Sequence, residues 1–416
     1  MDVSLEDLPL PVILHILSFL PTLTAVATSL VSRKFRRLWK QVPSLNFDYS
    51  LFPLYNSRSV TLRCFCQFVD RTLLLRDHSY SLDSLHLSFP YDPLFRSCAD
   101  AWIQYAVRCR TRKISVQFVS DVVNAAYYDF PLFVLRGGAV ESLCLYQCDI
   151  RLSEEHLHTM RFIDFTRMYM TDQMLVDLLK FCPNLEEFKL GGACGLEKMV
   201  IRSPKLRFLE LRRVAQAENG LSLELDCPSL VGISFVLMQL ERIDVVNLSS
   251  VETFRVWFTP YEDYFVWNWT LIANMISLCP RIKLLASPNW WFKMKPRETF
   301  GEGFVLNNLK HLVLQTKYRC SDIIGLSELL KISPNLERLT LIHAWLPYED
   351  VEELETDGRL FVELSIPCLT ELKMERCLGV EAELNFLSLV KSQGLVLKNA
   401  NIYYRDDNNR LPSHSP

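Results

Sequence analysis

Chemistry in this sequence would have to start from histidine and cysteine, and their spacing withholds it. The eight histidines, His15, His78, His86, His156, His158, His311, His343 and His414, are scattered. None stands near a close cysteine pair at the spacing a zinc site needs. Among the thirteen cysteines, Cys144 and Cys148 followed by His156 and His158 are a loose echo of such a site. The ligand order is wrong, and Cys144 falls inside a repeating apolar strand pattern, so packing is the expected role. Cys64 and Cys66 alternate as on a strand, without a second pair nearby. Gly137-Gly138 and Gly191-Gly192 read as turns, because no glycine-rich run leads into a helix carrying Lys and Ser or Thr. No Ser-His-Asp order can be given a geometry, and no cysteine has the activating setting that yields a thiolate. The expectation is a non-enzyme that needs no cofactor and no metal.

The chemistry on offer is recognition. Aromatic residues, which interfaces favour for their large rigid area and polar handle, gather in three places. Tyr127-Tyr128-Asp129-Phe130 is one, the run from Trp257 to Trp269 another, and Ser287 to Pro296 the third. Trp257 continues a strand and is expected in the core. Trp267, Trp269, Trp290 and Trp291 fall in the longest irregular gap between strand motifs, from Val251 to Leu309, and are the candidate substrate-binding residues. Arg33, Lys34, Arg36, Arg37 and Lys40 form a cationic cluster. The net charge is -3 and no second basic patch accompanies the cluster, so a solvated helix face is expected and nucleic acid is not.

Repeated units must position these residues. From residue 82 an apolar residue is followed by another three on and another two on. The pattern recurs as Leu82-Leu85-Leu87, Ile114-Val116 with Phe118, Val140-Leu143-Leu145 and Met160-Ile163-Phe165. It continues as Leu185-Phe188-Leu190, Leu206-Leu209-Leu211, Leu230-Ile233-Phe235 and Val251-Phe254-Val256. After a degraded Ile282-Leu285 come Leu309-Leu312-Leu314, Leu336-Leu339-Leu341 and Leu369-Leu372-Met374. Most starts lie roughly 20 to 33 residues apart, the range of leucine-rich repeats with insertions. Each unit supplies a short strand that can bury its alternate residues only by stacking on its neighbours. Helices ended by proline are expected before Pro183, Pro280 and Pro334. The short links at Ser203-Pro204 and Cys227-Pro228 leave room only for extended chain on both faces.

In front of the repeats lie three short apolar segments. Pro11 suits a first helical turn, Ile13, Leu14, Ile16, Leu17 and Leu20 follow at helical spacing, and Pro21 stops the run. Thr22 or Thr24 can cap a second helix reaching about Leu30, and Ser32 a third carrying Phe35, Leu38 and Trp39. A module of about 40 residues is too small to hold a core alone, so it must pack on the repeats or on another chain.

Hydrophobic residues make up 49% and charged residues 22%, a globular composition. Asp2, Glu6 and Asp7 stand where a secretory leader would carry Lys or Arg, and no run reaches the roughly 18 apolar residues that span a bilayer. No membrane partner is expected. The cysteines fit a reducing compartment, nucleus and/or cytoplasm.

Residues 4 to 48 resemble an F-box of the plant F-box/leucine-rich-repeat type. The matching pieces are Leu5-Glu6-Asp7-Leu8-Pro9, Ile13 through Pro21, Ala25 through Arg33, Leu38-Trp39, Val42-Pro43 and Phe47-Asp48. The departures are Leu10-Pro11, where an acidic or polar pair is common, and Phe35, where Trp is usual. Pro367-Cys368-Leu369, Glu383 through Leu387, Val390-Lys391-Ser392 and Leu395 through Ala400 resemble the tail module called FBD. The resemblance implies an α/β protein with a short three-helix F-box module followed by an irregular leucine-rich-repeat solenoid with a parallel concave sheet. Its segments would be an F-box at 1–48, a linker and cap at 49–81, repeats at 82–366, an FBD-like cap at 367–404 and a tail at 405–416. It implies the substrate-recognition subunit of a Skp1-cullin-F-box ubiquitin ligase, with a Skp1-like adaptor, cullin through Skp1, and a protein substrate as partners. Leu8, Pro9, Ile13, Leu14, Leu17, Leu20, Pro21, Leu30, Val31 and Trp39 would supply the Skp1-facing or module-core contacts. The competing expectation is a non-catalytic scaffold whose N-terminal helices only cap the solenoid.

Overall fold

The computed structural model describes residues 7–404 apart from 32, 54–56, 120–126, 137, 153–156, 215–220, 237–239, 258–264, 289–299, 302, 319, 344–363, 365–366 and 393–398. The chain divides into two compact units, Met1–Arg207 with Leu211–Cys227, and Phe208–Glu210 with Pro228–Pro416.

The first unit opens with α1 (Leu10–Ser18) and α2 (Thr22–Ala27), then a 3-10 turn at Thr28–Leu30 and a 3-10 helix at Phe35–Gln41. Pro11 lies in the first turn of α1, where a missing N–H costs nothing, and Pro21 takes the N-cap position of α2. The third helix expected from the sequence is thus a tight 3-10 segment. Thr22 does not cap α2 through its side chain. It is buried, and its hydroxyl accepts a hydrogen bond from the Asn46 amide at 2.7 Å. Asn46 belongs to β1 (Ser44–Asp48), so the module is bonded to the first strand of the repeats.

There follow α3 (Arg58–Leu75), β2 (Ser84–Phe89), α4 (Arg96–Arg108), β3 (Lys113–Phe118), β4 (Tyr128–Pro131) and β5 (Ser142–Tyr146). Then come β6 (Cys148–Arg151), β7 (Phe162–Thr166), α5 (Asp172–Phe181), β8 (Glu187–Gly191) and β9 (Lys198–Arg202). The end of β10 (Phe208–Arg212) and β11 (Leu221–Asp226) complete the unit. Strands β1, β2, β3, β5, β7 and β8 pair in parallel and in register, in that order. Leu45, Leu85, Ile114, Leu143, Ile163 and Phe188 therefore form one inward column, and Phe47, Leu87, Val116, Leu145, Phe165 and Leu190 a second. Every one of these side chains is buried.

The ladder thus begins at Ser44, within the segment that resembles the F-box, and Val42-Leu45-Phe47 already has the repeat's spacing of three and two. Cys64 and Cys66 lie on α3, a helix and not the strand expected from their alternation. Trp102 of α4 donates its indole N–H to Asp70 of α3 at 2.7 Å. Tyr128 and Phe130, read from composition as a partner surface, are wholly buried in β4, which pairs with β6, while Tyr127 is exposed. Strands β9 and β11 pair in parallel, so the short proline links do join units that are extended on both faces.

In the second unit the elements are β12 (Gly232–Val236), β13 (Leu240–Asn247), β14 (Thr253–Trp257), α6 (Phe265–Ser277), β15 (Leu284–Pro288) and β16 (His311–Thr316). They continue with α7 (Cys320–Lys331), β17 (Arg338–His343), β18 (Glu371–Cys377), α8 (Glu381–Ser392) and β19 (Asn399–Tyr404). Strand β12 pairs with β14, and the parallel ladder runs on through β15, β16, β17, β18 and β19. Ile233, Phe254, Leu285, Leu312, Leu339 and Leu372 form its buried column. The sequence reads residues from 367 onward as strand, helix, strand, and β18, α8 and β19 have that order. Glu383, in the first turn of α8, is buried. Its carboxylate accepts from the amides of Leu378, Gly379 and Val380 and from His343 Nδ1 at 2.7 Å. Four donors satisfy a charge that would otherwise be costly to bury.

Candidate interaction surfaces

Helix α1 is apolar on two sides. Ile13 and Leu17, one turn apart, face inward with Phe35, Leu38 and Val42, and Leu8, Leu14 and Leu20 pack on that cluster. Val12, Ile16 and Phe19, with the same helical spacing, face outward beside Leu10. Phe19 is 73% exposed, Leu30 88% and Val31 82%. The expected contact set therefore divides. Ile13, Leu17 and Trp39 are buried, the first two within the module's own core cluster. Leu8, Leu14, Leu20 and Pro21 are half-buried, and Pro9, Leu30 and Val31 are exposed. Sequence reasoning missed Leu10, Val12, Ile16 and Phe19 because it placed α1 on a single stripe. Beside this surface Arg33, Arg36 and Arg37 are exposed, and Lys40 stands 5.6 Å above the Trp39 ring.

The outward positions of the first ladder are polar. Asn46, His86, Ser115, Cys144, Asp164 and Lys189 share one register row. His86 Nδ1 lies 2.9 Å from Ser115 Oγ, Arg212 reaches Asp164 at 2.8 Å, and Lys189 pairs with Glu187 at 3.0 Å. Burial depresses the His86 pKa, with Asp48 opposing it. In the second unit the equivalent row carries Arg255, Ala286, Val313, Thr340 and Lys373. His311 Nε2 is 3.0 Å from Thr340 Oγ1, and its pKa is depressed by burial and then by Arg338.

The expected tryptophan edge is only partly placed. Trp267 and Trp269 stand in the first turns of α6, so the helix expected before Pro280 reaches back to include them. Its Ile272, Ala273, Met275 and Ile276 are buried at helical spacing. Trp290 and Trp291 lie outside the described residues. Trp257 is half-buried at the end of β14.

The buried thiols are poorly suited to nucleophilic work. Burial pushes Cys66, Cys182 and Cys279 up to about 12, and Cys144, Cys227 and Cys377 up to about 11, so they stay protonated near neutrality. Cys148 is buried, with its thiol turned to the Tyr146 carbonyl, and His156 lies outside the described residues. Among the described residues no three His, Cys, Asp or Glu side chains gather as a metal site, and no helix is long and apolar enough to cross a membrane.

Residues 74–373 match the family described as the At1g61320/AtMIF1 LRR domain, and residues 5–47 match the F-box domain. The chain belongs to the plant F-box/leucine-rich-repeat proteins. Arabidopsis thaliana has several such relatives. F-box/LRR-repeat protein At3g26922 is 31% identical over 231 residues, 54% of this chain and 72% of that protein. Putative F-box/LRR-repeat protein At3g18150 is 26% identical over 368 residues, 82% of this chain and 72% of that one. F-box/FBD/LRR-repeat protein At5g56420 is 30% identical over 222 residues, and the match spans 52% of this chain and 50% of that protein's length. In this F-box/LRR chain the F-box match contains α1, α2, the 3-10 helix and most of β1. The repeat match contains the strand ladders from β2 into β18.

Proposed function

We propose that this chain is the non-catalytic substrate-recognition subunit of a Skp1-cullin-F-box ubiquitin ligase. The F-box module docks a Skp1-like adaptor, cullin joins through that adaptor, and the repeats bind a protein substrate in the nucleus and/or cytoplasm. One observation carries the reading. The module's core is already filled by its own side chains, yet Phe19, Leu30 and Val31 are left almost bare. Apolar surface of that kind marks a partner site. The Thr22 bond to Asn46, which ties the module to β1, favours capping as a second reading, but capping makes no use of the outer face of α1.

Co-purification of the full chain with a recombinant Skp1-like adaptor tests the reading. Leu30→Asp with Val31→Asp should abolish capture and leave the melting temperature almost unchanged, because neither side chain is packed. Adaptor capture that survives in the folded double variant overturns the assignment and leaves capping as the module's role.

A further inference from the structure

The Gly191-Gly192 pair closes β8 as a turn, and its missing side chains make room for two arginines. A Cβ on Gly191 would stand 3.3 Å from Arg212 Nε and 3.2 Å from Thr166 Oγ1. With no Cβ there, Arg212 lies over β8 and reaches Asp164 on β7 at 2.8 Å. Gly192, at φ +56, lies against the stem of Arg167, whose Cγ is 3.4 Å from where its Cβ would be. Arg213, next in the chain after Arg212, is exposed, as is Arg167. Arg167 and Arg213 hold φ of +54 and +45, a region that residues with side chains seldom adopt.

Three arginines therefore border the glycine pair: Arg212 lies over Gly191, the stem of Arg167 lies against Gly192, and Arg213 follows the residue whose carbonyl the Gly192 amide bonds. Asp164 offsets one of them, and among the described residues no carboxylate pairs with Arg167 or Arg213. Arg167 stands 5.5 Å above the Tyr146 ring, a contact that holds a cation without neutralising it. The backbone donors are already used, since the Arg167 amide bonds to the Gly191 carbonyl and the Gly192 amide to the Arg212 carbonyl, each at 2.7 Å. An anion here would be held by side chains and not by a backbone nest.

We infer that this cradle binds an anionic side chain, carboxylate or phosphate, carried on an acidic segment of the protein substrate. The inference rests on the substrate-receptor reading above. The guanidinium fork fits both groups, bonding their oxygens in pairs. The site is an exposed rim and not an enclosing cavity, which suits a segment of a larger molecule better than a free small anion. Nucleic acid would require a longer run of phosphate contacts than a cluster that shares its face with Asp164 and Glu187 supplies.

The test is fluorescence anisotropy of the full chain with a fluorescein-labelled Glu-rich peptide, a phosphoserine-containing counterpart and a Gln-substituted control. The wild-type chain should bind at least one anionic peptide, with affinity falling as salt rises, and should ignore the Gln control. Arg167→Gln with Arg213→Gln should weaken binding about tenfold or more, and Gly191→Leu should do the same by displacing Arg212. Lys283→Ala, which breaks an exposed pair with Glu252 in the second unit, should leave it unchanged. Comparing the two anionic peptides decides between carboxylate and phosphate. Absence of binding to both, or equal binding by the double Arg variant, overturns the cradle. Adaptor capture is read separately, so failure of the cradle and failure of the receptor reading are distinct results.

Discussion

Inward positions of the first strand ladder, from Leu45 to Phe188, are at most 2% exposed, whereas Leu10, Val12, Ile16, Phe19, Leu30 and Val31 of the N-terminal module are 37% to 88% exposed. The two regions use their apolar residues differently. In the ladder each strand finds its apolar neighbour on the next strand, so the unit completes its own core. In the module a short helix buries one side against a few residues and leaves the other side to be covered from outside. Apolar residues that the fold does not consume are the module's clearest functional signal, and in the ladder the corresponding signal is polar.

The contrast can be tested first on its strongest side. Phe188→Ala should cost about 3–5 kcal/mol in urea or guanidinium unfolding, since it empties a fully packed site, whereas Phe19→Ala should cost under about 0.5 kcal/mol. Equal costs would mean that the outer face of α1 is packed after all. A smaller effect sharpens the boundary between the two regions. Thr22→Val keeps the shape but removes the acceptor of the Asn46 amide, and should cost about 1–2 kcal/mol. Faster hydrogen exchange at the Asn46 amide is the accompanying readout. An unchanged Thr22→Val variant would show that the module hangs from the ladder by the chain alone.

The smallest effect concerns pH. Burial holds the folded His86 and His311 below the ordinary histidine value, so the unfolded chain takes up protons first as pH falls. The stability due to these groups is complete above the unfolded histidine value of about 6.5 and declines as pH drops through it toward the lower folded values. Urea midpoints should fall between neutrality and about pH 5.5, and His86→Gln should flatten part of that slope. A slope unchanged by His86→Gln would assign the pH dependence to other groups.

Much of this architecture was legible in the sequence because packing leaves a period. The apolar triplets from Leu82-Leu85-Leu87 to Leu369-Leu372-Met374 all land in the buried columns, and the three helices ended by Pro183, Pro280 and Pro334 form where expected. The first strand was hidden because Val42-Leu45-Phe47 serves two motifs at once, and the F-box pattern covers the repeat pattern. The outer face of α1 was hidden for a related reason: helical spacing reveals one stripe, and a helix apolar on two sides gives that stripe little contrast. Composition also misplaced Tyr128 and Phe130, since an aromatic cluster looks the same whether it faces a partner or fills a core. The arginine cradle was illegible because Arg167, Gly191 and Arg212 meet only across neighbouring strands.

The in-register ladder has a consequence for how such a chain can change over generations. Alternate positions carry the packing, so a substitution at Ser115 or Lys189 alters what the outer face offers without disturbing the column behind it. Links between strands can lengthen at little thermodynamic cost, because closing a longer loop adds entropy cost only slowly. Selection on the face and selection on the core therefore act on different residues of the same strand. This chain and its Arabidopsis thaliana relative At3g18150 are 26% identical over 368 residues. Two such chains could keep one ladder of packed columns while presenting entirely different outer faces.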